Sequence, residues 1–199
     1  CIPAPSEKQW QFLTARERYV AFGGARGGGK SWAVRVKALL LCLQYGGIRV
    51  MIVRRTYPEL RRNHIEPLRA LVPGELAAYN DSRKELRFVN GSLILFRYCD
   101  GVKDMERYQG TEADVIFMDE ATQFDEQIFR MFAACLRGVN GFPKRLYLTC
   151  NPGGRGHEWV KRLFIDRRFR PGEDPGDYRF IKSLVTDNKA LLGSQKEYI

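Results

Sequence analysis

Eight residues, Gly24-Ala25-Arg26-Gly27-Gly28-Gly29-Lys30-Ser31, place a glycine, then four intervening residues, ahead of a Gly-Lys-Ser triplet. The segment before them, Arg18-Tyr19-Val20-Ala21-Phe22, is β-branched and aromatic and reads as a buried strand. The segment after them, over residues 31–45, carries Trp32, Val36, Leu39, Leu40 and Leu43 at helical spacing and closes on Gly46-Gly47. Strand, glycine-rich turn and helix in that order commit the chain to an α/β fold in which the turn lies between a strand end and a helix N-terminus. Such a turn aims successive backbone N–H groups at phosphate oxygens, and the helix dipole favours the same negative charge. Lys30 would add a movable point charge, and Ser31 would place its hydroxyl on Mg²⁺. Gly24, Ala25, Arg26, Gly27, Gly28, Gly29, Lys30 and Ser31 are therefore the candidate phosphate-binding residues. Without its flanking elements the same stretch would be only a flexible loop.

Further strands follow the first helix at Arg49-Val50-Met51-Ile52-Val53-Arg54, Ala113-Asp114-Val115-Ile116-Phe117-Met118 and Lys144-Arg145-Leu146-Tyr147-Leu148-Thr149-Cys150. A helix is expected over 58–71, ended or kinked at Pro67. Asn90-Gly91, between apolar runs at 85–89 and 92–98, is a hairpin signal, because both residues accept positive φ. Phe124, Ile128, Phe132, Cys135 and Leu136 form the apolar stripe of a core helix. Beyond residue 156 a helix over 157–164, a Pro/Gly-rich loop over 170–177, a strand over 178–185 and a last helix are expected. Strands alternating with helices imply a mostly parallel sheet covered on both faces.

The sequence has 33 basic and 23 acidic residues, a net charge of +10. That excess favours a polyanionic partner, with nucleic acid the obvious candidate and a merely soluble basic surface the alternative. Five scattered cysteines without CxxC spacing read as reduced core residues of a cytosolic protein. The two histidines form no Cys/His or His/Asp cluster with ligand spacing, which argues against zinc. No bilayer-spanning run or secretory leader is expected, and a chain beginning at Cys1 reads as a piece of something longer.

Asp119 and Glu120 follow the strand over 113–118, at the sheet edge where ligands bind in open α/β folds. Asp119 would orient Mg²⁺ with Ser31, and Glu120, facing differently, would polarise an attacking water. A carboxylate that activates water favours hydrolysis over transfer; two acids capping the next helix is the plainer alternative.

Four features in order resemble the ATPase domain of the large terminase subunit of tailed bacteriophages. They are Gln9 with Phe12-Leu13, the loop at 24–31, Asp119-Glu120-Ala121-Thr122-Gln123-Phe124, and Leu148-Thr149-Cys150-Asn151-Pro152-Gly153-Gly154 followed by His157 and Trp159. Val53-Arg54-Arg55-Thr56-Tyr57 and Tyr108-Gln109-Gly110 are similar to the family as well. The resemblance implies an α/β P-loop NTPase of ASCE/RecA-like type: a mostly parallel central sheet flanked by helices, a β-hairpin insertion and a small C-terminal lid or linker. The ATPase core would occupy 1–155 and the lid 156–199. ATP and Mg²⁺ are the implied cofactors. Double-stranded DNA, a portal protein and a small terminase subunit are the implied partners of a homo-oligomeric ring that is monomeric when isolated and docks on a procapsid in the host cytoplasm.

Gln9 resembles the adenine-recognising glutamine of such motors, or is a solvated side chain. Thr149-Cys150-Asn151 resembles a coupling motif in which Asn151 senses the γ-phosphate, or simply forms an Asn-Pro-Gly turn. His157 and Trp159 read as anchors of the next helix. The arginine finger expected of phosphoryl transfer ranks Arg107 ahead of Arg26, with Arg54 behind. DNA-backbone contacts would come from the basic residues at 61, 62, 69, 83, 84, 161, 162, 167, 168 and 170. Family members usually continue into a nuclease, but after Asn151 the acids lie mostly in loops, so no DNA cleavage is expected from this chain. Two other readings stay open: a helicase-like ATPase on single strands, and a non-hydrolysing nucleic-acid-binding module.

Overall fold

The computed structural model describes residues 3–24 and 29–183. It begins with a short helix, α1 (Glu7–Thr14), whose N-terminus is closed by a reciprocal capping box: Gln9 N–H donates to Ser6 Oγ and Ser6 N–H donates to Gln9 Oε1. Strand β1 (Tyr19–Gly24) and helix α2 (Lys30–Gln44) flank the glycine-rich turn as the sequence requires. Then come β2 (Arg49–Arg54), β3 (Ala77–Asn80), β4 (Glu85–Phe88), β5 (Leu93–Tyr98), β6 (Val115–Met118), β7 (Arg145–Cys150) and β8 (Tyr178–Ser183). Asn90-Gly91 turns β4 into β5 as an antiparallel hairpin. The four-residue β3, with only Ala77 buried, pairs antiparallel with β4 at the sheet edge and carries no sequence signal of its own.

The eight strands among the described residues form one sheet in the order β3-β4-β5-β2-β6-β7-β1-β8. From β5 to β8 every pairing is parallel. β7 separates the loop-bearing β1 from the acid-bearing β6, so the C-terminal ends of all three strands share one edge. Alternation along the strands divides the core. Val20, Phe22, Val50, Ile52, Phe117 and Tyr147 face α1 and α2; Ala21, Met51, Val53, Ile116, Met118, Leu146 and Leu148 face the opposite layer with Phe129, Phe132, Trp159 and Leu163. Helix α5 (Glu126–Ala134) buries Ile128, Phe129 and Phe132 from its apolar stripe. Trp159, on α6 (His157–Val160), stacks on Phe129 and donates its indole N–H to Phe124 O at 2.8 Å, the anchoring contact expected of it. Cys42, Cys99, Cys135 and Cys150 are free and buried; Cys1 and the last expected helix lie outside the described residues.

The helix over residues 57–71 runs through Pro67. It has α-helical ends, α3 (Tyr57–Leu60) and α4 (Glu66–Leu71), and a π-turn between them over Arg61–Ile65. Proline has no N–H for the carbonyl four residues back and crowds it. The wider turn accommodates this: Glu66 N–H reaches Arg61 O, and the Asn63 carbonyl left without its helical donor accepts from Arg35 Nη1 at 2.5 Å.

Beyond α6, Glu173 takes hydrogen bonds from Arg162, Arg130 and the Arg170 N–H, which hold its carboxyl down at about 2. Arg162, one of the expected DNA contacts, is engaged by Glu126 and Glu173 and mostly buried, so its role is to fix this segment.

Lys37, on α2, is buried, and its Nζ donates to the carbonyls of Phe12 (2.8 Å), Leu13 (2.8 Å) and Ala15 (3.0 Å) beneath the Tyr147 ring. Burial pulls its pKa down to about 7. Three acceptors oppose that pull, because only the ammonium has three N–H bonds to give. The lysine thus closes the C-terminal end of α1. Lys37→Met should lower unfolding free energy by about 3 kcal/mol through the stranded carbonyls, measured by urea denaturation; an unchanged midpoint would contradict the role.

Candidate active site

The site is built at the C-terminal sheet edge. Gly24 ends β1 at φ +137°, and a Cβ there would lie 1.9 Å from the Ser183 carbonyl of β8, so only glycine lets the chain leave the strand here. Gly29, at φ +68°, delivers the chain into α2. Lys30 and Ser31 open that helix. Ala25, Arg26, Gly27 and Gly28 lie outside the described residues.

Asp119 is the centre. It is 1% exposed, and its carboxylate is met from four directions. His64 Nε2 is 2.7 Å from Oδ2, Arg54 Nε is 3.1 Å from Oδ2, the Thr149 hydroxyl donates to Oδ1, and Ser31 Oγ lies 3.2 Å from Oδ2. Burial alone would raise this carboxyl; His64, Arg54 and Thr149 overcome it and hold the group well below the usual carboxylate range. Burial likewise pulls Lys30, 7% exposed, below the ordinary lysine value, while Glu120 and Asp119 push back.

Glu120 has left-handed backbone, φ 61° and ψ 50°, unusual for a side chain of its size. The conformation is held because its N–H donates to Thr149 Oγ1 at 3.0 Å and its carboxylate accepts from Asn151 Nδ2 at 2.6 and 2.8 Å. Arg54 Nη2 lies 3.6 Å from Glu120 Oε1, so one guanidinium spans both acids. Thr149 serves both as well, donating to Asp119 and accepting from Glu120.

Thus Lys30, Ser31, Asp119, Glu120, Thr149 and Asn151 converge at one edge, as their order in the chain suggests. Gln9 is 8% exposed, and its amide oxygen serves the capping box while Nε2 donates to Gly29 O at 3.3 Å; it is no solvated side chain, and it ties α1 to the end of the glycine turn. Arg107 is not gathered into the acid cluster. It lies on a 3₁₀ turn (Val102–Tyr108), 59% exposed at its side chain, paired with Asp104 and over the Tyr98 ring. Of the two candidates among the described residues, Arg54, ranked behind Arg107, is in contact with the acids; Arg26 lies outside the described residues. His64 has no counterpart among the sequence expectations, which placed neither histidine beside an aspartate: the π-turn brings it to Asp119, 55 positions away. Since Asp119 only accepts, His64 Nε2 carries a proton.

A lysine and serine at a helix start, facing two strand-end carboxylates across an intervening strand, belong to the P-loop NTPase fold. The family model for phage terminase large subunits matches residues 16–199, and the chain belongs to that family. Solved structures agree on the fold. The large terminase of a thermophilic bacteriophage aligns with TM-score 0.76 at 20% identity, covering 99% of this chain and 51% of that one. The same terminase in complex with ADP aligns with TM-score 0.75 at 21% identity, covering 98% and 50%. The large-terminase ATPase domain of Thermus phage P74-26 aligns with TM-score 0.63 at 14% identity, covering 98% and 89%. The chain spans about half the length of the first of these proteins. No curated protein sequence matched it.

His64→Leu should cost about 2 kcal/mol, the loss of one charge-assisted bond to a buried carboxylate, whereas His64→Gln, whose amide can still donate to Oδ2, should recover much of it. Equal unfolding midpoints for the two variants would show that the hydrogen bond to Asp119 does not stabilise the fold.

Proposed function

We propose that this chain hydrolyses ATP with Mg²⁺ and that hydrolysis drives double-stranded DNA into a procapsid, as the motor domain of a terminase large subunit. The observation that carries the reading is the convergence of Lys30 and Ser31 with Asp119 and Glu120 at one sheet edge, with Thr149 and Asn151 between them. Family membership and the net charge of +10 support DNA as the partner.

The residues present fit the implied cofactors. Ser31 Oγ and the Asp119 carboxylate are hard oxygen donors, and Mg²⁺ commonly takes one or two protein ligands and completes its shell with phosphates and water. Among the described residues no three His, Cys, Asp or Glu side chains form a closed cage, which suits an ion that arrives with nucleotide. When bound, Mg²⁺ would neutralise charge on the phosphates. Lys30 and the backbone of residues 24–31 would hold the β- and γ-phosphates. Glu120 would accept a hydrogen bond from the attacking water and polarise it, and Asn151, which fixes that carboxylate, would couple its orientation to the phosphate state. Gln9 would contact the adenine edge, which requires it to exchange its present partners. Arg107, exposed at the β5 side of the same edge, is proposed as the finger offered to a neighbour in a ring, with Arg26 as the finger in cis.

The core would run over 1–155 and the lid over 156–199, with no nuclease centre in either. No helix among the described residues is long and apolar enough to cross a membrane. The proposed setting is the host cytoplasm, with portal protein and small terminase subunit as partners.

Glu120→Gln should retain nucleotide binding while lowering ATP turnover by about 10²-fold or more, and Lys30→Ala should weaken binding itself. Turnover should rise with double-stranded DNA and procapsids. Unchanged turnover in Glu120→Gln would revive the non-hydrolysing reading, and unwinding of forked substrates without packaging would favour a helicase.

A further inference from the structure

The arrangement around Asp119 contains an anomaly for a metal site: a cation is already there. Sheet register makes this unavoidable. Val53 of β2 pairs with Met118 of β6, and Asp119 N–H donates to Val53 O, so Arg54 and Asp119 leave adjacent strand ends side by side. The guanidinium lies 3.1 Å from Asp119 Oδ2 and 3.6 Å from Glu120 Oε1, with Arg54 only 7% exposed. Asp119 in turn counters the desolvation of the nearby Lys30 and Arg35 charges, and His64 hydrogen-bonds its Oδ2. A free divalent ion approaching the Ser31 side therefore meets two carboxylates whose charge is already balanced by fixed cations at short range.

We propose that Arg54 is an internal counter-cation that closes the Ser31–Asp119 position to free divalent ions and yields it only when nucleotide phosphates are present. Phosphate oxygens offer a guanidinium a partner at least as good as carboxylate, so an arriving nucleotide gives Arg54 somewhere to go while supplying the metal with its remaining ligands. Metal and nucleotide then load together. The inference rests on the nucleotide-site reading above and adds to it a function for a side chain that the reaction scheme does not use.

The test is Mn²⁺ binding to the 199-residue chain without nucleotide, followed by the electron paramagnetic resonance signal of free Mn²⁺. Arg54→Met should bind Mn²⁺ about tenfold more tightly than the wild type or better, since a positive charge at contact distance has been removed. The gain should vanish in Arg54→Met/Asp119→Asn. Arg54→Gln, whose amide can still donate to Asp119, should show the same direction of change and decides the matter if the methionine variant does not fold. Addition of ADP should tighten Mn²⁺ binding more in the wild type than in either Arg54 variant. Equal Mn²⁺ affinity in the wild type and a folded Arg54 variant, or a gain that survives loss of Asp119, would overturn the proposal. Failure of the nucleotide-site reading would appear separately, as a wild type that does not bind fluorescent ADP.

Discussion

A single buried carboxylate organises this molecule. Asp119 sits where water cannot solvate it, so it must be ionised against the cost of burial or not at all. Partners from four separate elements make the ionised form the stable one: Ser31 from α2, Arg54 from β2, His64 from the π-turn and Thr149 from β7. Each of these residues is fixed by the contact, and three of them lead on to other parts of the site. Thr149 reaches the Glu120 backbone, Arg54 reaches the Glu120 carboxylate, and Ser31 sits beside Lys30.

The geometry that follows is held under constraint. Glu120 adopts a backbone conformation that few large residues accept, and it does so because Thr149 and Asn151 hold both its N–H and its carboxylate. Both restraints come from the end of β7, the strand placed between the loop-bearing and acid-bearing strands. A change at the proposed phosphate position would therefore have a short path to Glu120 through Asn151 and through Arg54. On the other side of the loop, Gln9 joins Gly29 to α1, and α1 is in turn closed by Lys37 from α2.

Much of this is legible in the sequence where the signal is local. The strand over 19–24 and the helix over 30–44, the Asn90-Gly91 hairpin and the acids after β6 are written in consecutive residues with the right period. What escapes is non-local or compositionally quiet. Nothing in Arg61-Arg62-Asn63-His64 announces a π-turn; it arises because Pro67 displaces the Asn63 carbonyl, and Arg35, from another helix, takes it up. His64 is thereby turned toward an aspartate 55 residues away. Strand β3 is short and mostly exposed, so it lacks alternation. The capping box Ser6-x-x-Gln9 is readable from the residues alone and explains why Gln9 is engaged rather than solvated. The contact between Arg54 and the acids is not: proximity to a motif along the chain is weaker evidence than strand register, and register puts Arg54 beside Asp119.

The proposed phosphate chemistry lies between residues 24–31 and the Asp119-Glu120 pair. A crystal structure of the chain with Mn²⁺ and a non-hydrolysable ATP analogue tests it most directly, because the anomalous signal of Mn²⁺ locates the metal independently. The triphosphate should lie against residues 24–31, with the metal beside Ser31 and Asp119 and the Glu120 carboxylate on the γ-phosphate side. A triphosphate bound away from that edge, or a metal with neither Ser31 nor Asp119 near it, would contradict this placement.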